Sequence, residues 1–98
     1  MLPNIKVQNL ISKHSELEKE LSSGEVDKKN FAEKSKEYSE LNDIINEAKE
    51  YIFFEKNKND LEKIINDIKS EKEIKDLAKL ELEELITKHD KNENKIKL

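Results

Sequence analysis

An all-α fold, an elongated antiparallel helical bundle of the coiled-coil hairpin kind, is what this chain predicts. It has three helices, or four if the second one kinks, and three observations carry the expectation. Apolar residues recur at alternating steps of three and four along nearly the whole sequence, which is the period of a helix face and not the alternation of a strand. One Gly and one Pro in 98 residues leave little of the punctuation that β-hairpins need. Charged residues make up 43% of the chain against 34% hydrophobic, too little apolar material for a thick globular interior but enough for seams between helices. Residues 1–98 therefore read as one small helical domain.

The first helix is predicted over about residues 4–22, where Val7, Leu10, His14, Leu17 and Leu21 form one stripe. Pro3 precedes it, where a missing N–H costs nothing, and Asn4 is the expected cap. Ser22-Ser23-Gly24 should end it, because Gly takes the left-handed conformation at little cost.

Asp27 is a good N-cap for the next helix, and Val26 can pack on Phe31 as a hydrophobic staple. That helix is predicted over residues 28–68, with Phe31, Tyr38, Leu41, Ile45, Ala48 and Ile52 spaced as a coiled-coil seam. The side chains of Asn42 and Asp43 compete for backbone hydrogen bonds, so a kink there and an unbroken rod both fit the pattern. After Ile52 the stripe rotates. A polar run, Glu55 to Asp60, comes before Leu61, Ile64, Ile65 and Ile68, which implies different neighbours at the two ends of the rod, or else a loop at the polar run.

Ser70-Glu71-Lys72-Glu73 has the form of a capping box and predicts a last helix over residues 71–90. Ile74, Leu77, Ala78, Leu82, Leu85 and Ile86 form its stripe, with His89 and Ile96 as weaker continuations. The short turn before it sends the chain back antiparallel. Residues 88–97 are nearly all polar and are expected to fray.

Little in the chain points to chemistry. His14 and His89 are the two histidines, the residue type most often used as general acid, base or metal ligand. His14 lies on the apolar stripe with Glu18 one turn on, which reads as a partly buried seam histidine with a helical neighbour. No paired Glu-x-x-His motif of a carboxylate-bridged metal bundle is present. His89, in the polar tail, reads as solvated. The carboxylates alternate with Lys at helical spacing, the pattern of a solvated face. Tyr38 and Tyr51 read as packing residues with wet hydroxyls. Ser35 and Ser39 lack an activating base, and no Gly-rich phosphate loop occurs. With no Cys, disulfides and thiolate metal sites within the chain are excluded. No catalytic residue, metal ligand or cofactor site is expected.

No apolar run approaches the roughly 20 residues that span a bilayer, and the opening residues do not form a signal peptide. The expectation is a cytoplasmic chain without a membrane partner. The formal net charge is −4, and the 19 basic residues are all Lys. An acidic chain without guanidinium groups is poorly equipped to grip phosphates, so direct sequence-specific nucleic-acid binding is not expected.

The segment Ser35-Lys36-Glu37-Tyr38-Ser39-Glu40-Leu41-Asn42-Asp43-Ile44 resembles the "S-[KR]-E-Y-x-[ED]-L-x-D-[IV]" segment of bacterial class I peptide chain release factors, in their N-terminal helical domain. Leu21-Ser22-Ser23-Gly24 falls where that family turns out of its first helix. Asp76-Leu77-Ala78-Lys79-Leu80-Glu81-Leu82 resembles its "[ED]-L-A-x-x-E-[LI]" segment. The resemblance covers essentially the whole chain and implies one domain of a multidomain protein, with Leu98 near a boundary. It further implies a role in translation termination on the ribosome, facing the stalk base of the large subunit and linked to the class II release-factor GTPase. The family's Gly-Gly-Gln motif and its codon-reading tripeptide do not occur in these 98 residues, so the implied contribution is contact and not catalysis. Glu37, Glu40 and Asp43 are the implied contact residues. Two rival readings stand beside this one. A stand-alone coiled-coil adaptor or chaperone-like protein fits the seam equally well. The RNA-binding arm of an aminoacyl-tRNA synthetase should show a basic face, which the acidic balance argues against.

Overall fold

The helical period is realised in four helices: α1 (Asn4–Ser23), α2 (Lys28–Asn42), α3 (Ile45–Asn66) and α4 (Lys72–Ile96). The structure is a computed structural model and describes residues 2–97, among which there is no strand. Helices α2 and α3 follow one another as a long strut. Helix α1 folds back beside α2 and then beside the start of α3, while α4 returns along α3. The molecule measures 61 × 24 × 20 Å. From Lys28 to Asn66 a helix rising about 1.5 Å per residue spans about 58 Å, so the strut sets the long axis. The radius of gyration is 18.3 Å, against about 13 Å for a compact chain of this length.

Local signals set most helix ends. Pro3 is the N-cap of α1, and its carbonyl accepts from the amides of Lys6 and Val7 at 3.1 and 3.3 Å. Asn4 is therefore the first helical residue and not the cap, because Pro3 is already extended at ψ 129°. Gly24 closes α1 at φ 73°, where a side chain would be strained. Asp27 caps α2 by accepting from the Asn30 amide at 2.9 Å.

The strut breaks at Asp43–Ile44. Asp43 keeps helical angles, but Ile44 sits at φ −117°, ψ 1°, and its amide reaches back three residues to Leu41 instead of four. The polar run Glu55 to Asp60 lies inside α3 and forms no loop. Helix α3 stops at Asn66, two residues short of the sequence expectation, because Asp67 starts a turn. The Lys69 amide donates to the Asp67 carboxylate at 2.9 Å, and the Ser70 amide donates to its carbonyl at 3.1 Å. Ile68 lies in that turn, 94% exposed. With Asp67 organising the turn, Ser70 caps nothing, and α4 starts from Glu71 with no side-chain cap. Replacing Asp27 by Ala is expected to lower stability by about 0.5 to 2 kcal/mol. Ser70→Ala should stay within about 0.5 kcal/mol of the parent. Thermal melts of the two variants separate these cases, and a Ser70 loss as large as that of Asp27 would contradict the assignment.

The core lies where three helices meet. Val7 of α1, Ala48 and Tyr51 of α3 and Ile96 of α4 form a buried cluster, with Leu2, Leu10, Ile11 and Ile52 packed around it. The predicted fraying of residues 88–97 does not occur: α4 stays helical to Ile96, because Asn92 and Ile96 are buried on the strut. Among the seam residues, Ile45 and Ala48 are buried, and Tyr38, Leu41 and Ile52 are half-buried. Phe31 is 47% exposed and stands outside the seam. Among the described residues no helix is long and apolar enough to cross a membrane.

Candidate interaction surface

Helix α2 has no fully buried residue, and its two sides differ in chemistry. Toward α1, Tyr38 stacks on His14 with ring centroids 4.7 Å apart and planes 21° apart. His14 is buried, and its Nε2 lies 3.1 Å from Oδ1 of Asn42. A carboxamide oxygen only accepts, so this geometry puts the proton on Nε2. The partners of His14 are thus on α2, and Glu18 is not among them. Away from α1, Glu37, Glu40 and Asp43 are exposed, and none has a hydrogen-bond or ion-pair partner among the described side chains. The structure places all three on the solvent side of one helix, Asp43 at its very end.

Three carboxylates at helix contacts are committed. Glu47 bonds to Lys95 at 2.7 Å, and that hydrogen bond, helped by a backbone one, holds its carboxyl below the ordinary range. Glu20 is lowered likewise by its hydrogen bond to Lys34. Both pairs therefore favour the folded state above the usual carboxylate pKa, and that contribution is lost as pH falls through the lowered value. Glu50 meets Lys88 at 3.1 Å and accepts from the Asn92 amide group at 3.0 Å.

His89 is the residue that the sequence reading misplaced most. Its ring lies between Tyr51 and Phe54, with centroids 4.4 and 3.7 Å away and planes within 18°. Its Nδ1 is buried without a hydrogen-bond partner. The Tyr51 hydroxyl is not wet either, since it accepts from the Leu2 amide at 2.9 Å in a side chain only 3% exposed. The signal was available: Leu82, Leu85, His89, Asn92 and Ile96 keep helical steps of three and four. A small cleft opens beside this ring between Glu50, Asn57, Lys88 and Asn92. Glu50 is taken up by Lys88 and Asn92, so the cleft holds no free acid and base in reach of one another. No group of His, Asp or Glu among the described residues is arranged to hold a metal ion.

What the geometry offers is a helical scaffold with an unpartnered acidic edge. The family model described as PCRF domain matches residues 10–98. The chain is 55% identical over all its 98 residues to peptide chain release factor 1 of Pelagibacter ubique (strain HTCC1062), covering 28% of that protein. It is 42% identical over 77 residues, 78% of the chain and 21% of the relative, to peptide chain release factor 1 of Wolbachia pipientis subsp. Culex pipiens (strain wPip). A third relative, peptide chain release factor 1 of Orientia tsutsugamushi (strain Boryong), is 31% identical over 94 residues, 96% of the chain and 26% of that protein. The chain spans about a quarter of the length of these curated relatives. No solved structure matches it. A match that runs from the middle of α1 through α4, together with identity along every helix to a release factor, shows that this chain belongs to the PCRF domain family.

Proposed function

We propose that the chain acts in translation termination as the non-catalytic helical domain of a cytoplasmic peptide chain release factor. The observation that carries this reading is the 55% identity to a release factor 1 over the full chain. The arrangement of side chains supports the non-catalytic part: the two histidines are engaged in stacking, and Glu50 beside His89 is paired with Lys88 and Asn92. The domain's work is then contact. The ribosome is the partner, through the stalk base of the large subunit, with the class II release-factor GTPase as a second. Glu37, Glu40 and Asp43 are the contact residues we assign, because they are exposed, aligned on one helix and free of internal partners. An acidic edge of this kind suits a basic protein surface and repels phosphate, so the contact should be made chiefly to ribosomal protein.

Two measurements test the reading. In the first, a relative's release factor 1 has its matching segment replaced by this chain. The chimera should retain stop-codon-dependent peptide release on ribosomes, and a folded chimera that binds no ribosome and releases nothing would overturn the proposal. In the second, labelled chain is titrated against ribosomes at several potassium concentrations. Each phosphate neutralised would add about one unit to the slope of log affinity against log salt. The expected slope is shallow, and the triple change E37K, E40K, D43K should weaken binding. A slope of several units, or binding indifferent to the triple change, would remove the acidic edge from the contact.

A further inference from the structure

At the root of the molecule α1 lies on α3, and there α3 and α4 bury Tyr51, Phe54, Asn92 and Ile96. Between Glu55 and Lys91 the same two helices bury Ala78 alone among the described residues. Leu61, Ile65, Leu82 and Leu85 are only half-buried there, and Ile64, Ile74, Leu77 and Leu80 are exposed, Leu77 by 60%. Two helices cover one stripe of each other, and a third element laid along them is needed to cover more.

One side of this free half has the form such an element requires. An open groove is lined by Asn57, Asp60 and Leu61 of α3 and by Glu81, Glu84 and Leu85 of α4, with Lys88 at its root end. Helical steps of three and four carry each wall on toward the Asp67 turn. Ile64 follows Asp60 and Leu61 on α3, while Leu77 precedes Glu81 on α4 and Ile74 precedes Leu77. Since α4 returns along α3, both continuations run to the same end. The groove is therefore apolar toward the turn and acidic along its middle. Asp60, Glu81 and Glu84 have no hydrogen-bond or ion-pair partner among the described residues, whereas Lys88 is held by Glu50 at 3.1 Å.

We propose that this groove is a docking site for a basic amphipathic helix of a partner protein, with apolar side chains toward the Asp67 turn and Lys or Arg side chains over Asp60, Glu81 and Glu84. Apolar residues exposed in a row and rimmed by charge mark a contact surface, and laying an amphipathic helix into such a groove is a common mode of recognition. From Ile74 to Lys88 α4 rises about 21 Å, which sets the occupant at about four turns. The three free carboxylates select its charge. A second copy of the chain would bring a net charge of −4 and the same carboxylates to the contact, and a nucleic acid would bring phosphates, so neither is complementary. The site lies on α3 and α4, apart from the acidic edge of α2, and does not depend on the role assigned to that edge.

The probe is a synthetic helical peptide of about 16 residues, long enough for four turns. It carries Leu at steps of three and four in one half, Lys at the same steps in the other, and Ala between. Titrated by fluorescence anisotropy against the whole chain, it should bind with a Kd below about 1 mM. A peptide of the same composition with its order shuffled should bind at least about tenfold more weakly. The double variant E81K/E84K should lose about tenfold or more in affinity, and Leu77→Asn several-fold. E16K/E33K makes the same change in net charge at exposed positions of α1 and α2 and should leave affinity within about twofold. Circular dichroism on each variant establishes that the helices are intact. Equal binding of the two peptides, equal effects of the two charge reversals, or no saturation by 1 mM would overturn the proposal. So would a concentration-dependent dimer of the free chain that Leu77→Asn abolishes, since the groove would then belong to a second copy.

Discussion

Tyr51→Ala is expected to lower the stability of the domain by roughly 3 to 5 kcal/mol, the range for removing a buried aromatic side chain. Tyr51 is 3% exposed and has several buried partners: it stands in the cluster with Val7, Ala48 and Ile96, its ring lies on His89, and its hydroxyl receives the Leu2 amide. Truncating it opens a cavity where three helices meet and strips one face of the histidine ring. Tyr51→Phe keeps the ring and removes only the hydroxyl, so its cost should be near the 1 to 3 kcal/mol of one unsatisfied donor at most, since Leu2 is only half-buried. Urea denaturation of the two variants measures both numbers. If Tyr51→Ala costs less than Tyr51→Phe plus about 1 kcal/mol, the ring is not the hub of this core.

A chain ending at Lys88 should lose far more than the helicity of the residues removed. Its missing segment contains His89, Asn92, Lys95 and Ile96. Burial of one isoleucine contributes roughly 1.5 to 3 kcal/mol, and each aromatic stack adds roughly 0.5 to 1.5 kcal/mol. Together these come to about 3 kcal/mol or more, a large share of the 5 to 15 kcal/mol that typically holds a domain together. Helicity at room temperature and the sharpness of the thermal transition report the loss. An unchanged midpoint would mean that the tail is as detached as its polar composition suggests.

That second variant marks the boundary of what the sequence made legible. Helical period, the stop at Gly24, the Asp27 cap and the weak point near Asn42 are local signals, and each is written within one turn of the residue concerned. The rotation of the stripe after Ile52 likewise foretold that the strut has different companions along its length. What escaped depends on the partner helix. His89 and Asn92 look solvated because they are polar, yet the ring of His89 buries as an aromatic surface and Asn92 is satisfied by Glu50. Phe31 is in register with the seam yet is 47% exposed, because register in one helix does not say which of its residues a neighbour covers. Ser70 sits in a correct capping pattern and loses to Asp67, three residues earlier, which bonds the turn first. The acidic edge was legible as exposed carboxylates, and the identity of its partner was not, because a charged helical face is compatible with any basic surface.

Beyond Phe54 the strut has left α1 behind, and only α4 accompanies it to the turn at Asp67. In mechanical terms the domain is a beam with a thick root and a thin free end. The root is three helices wide and holds the buried cluster, whereas the free end is a pair of helices joined along a single line of contact. Bending of such a beam grows steeply with its free length, so thermal displacement accumulates at the Asp67 turn while the root stays nearly still. Local opening follows the same gradient, since amides far from dense packing exchange first. The far end can therefore track a moving surface over ångströms without loading the core, and any load applied there reaches the rest of the protein through the ten residues from Ile45 to Phe54.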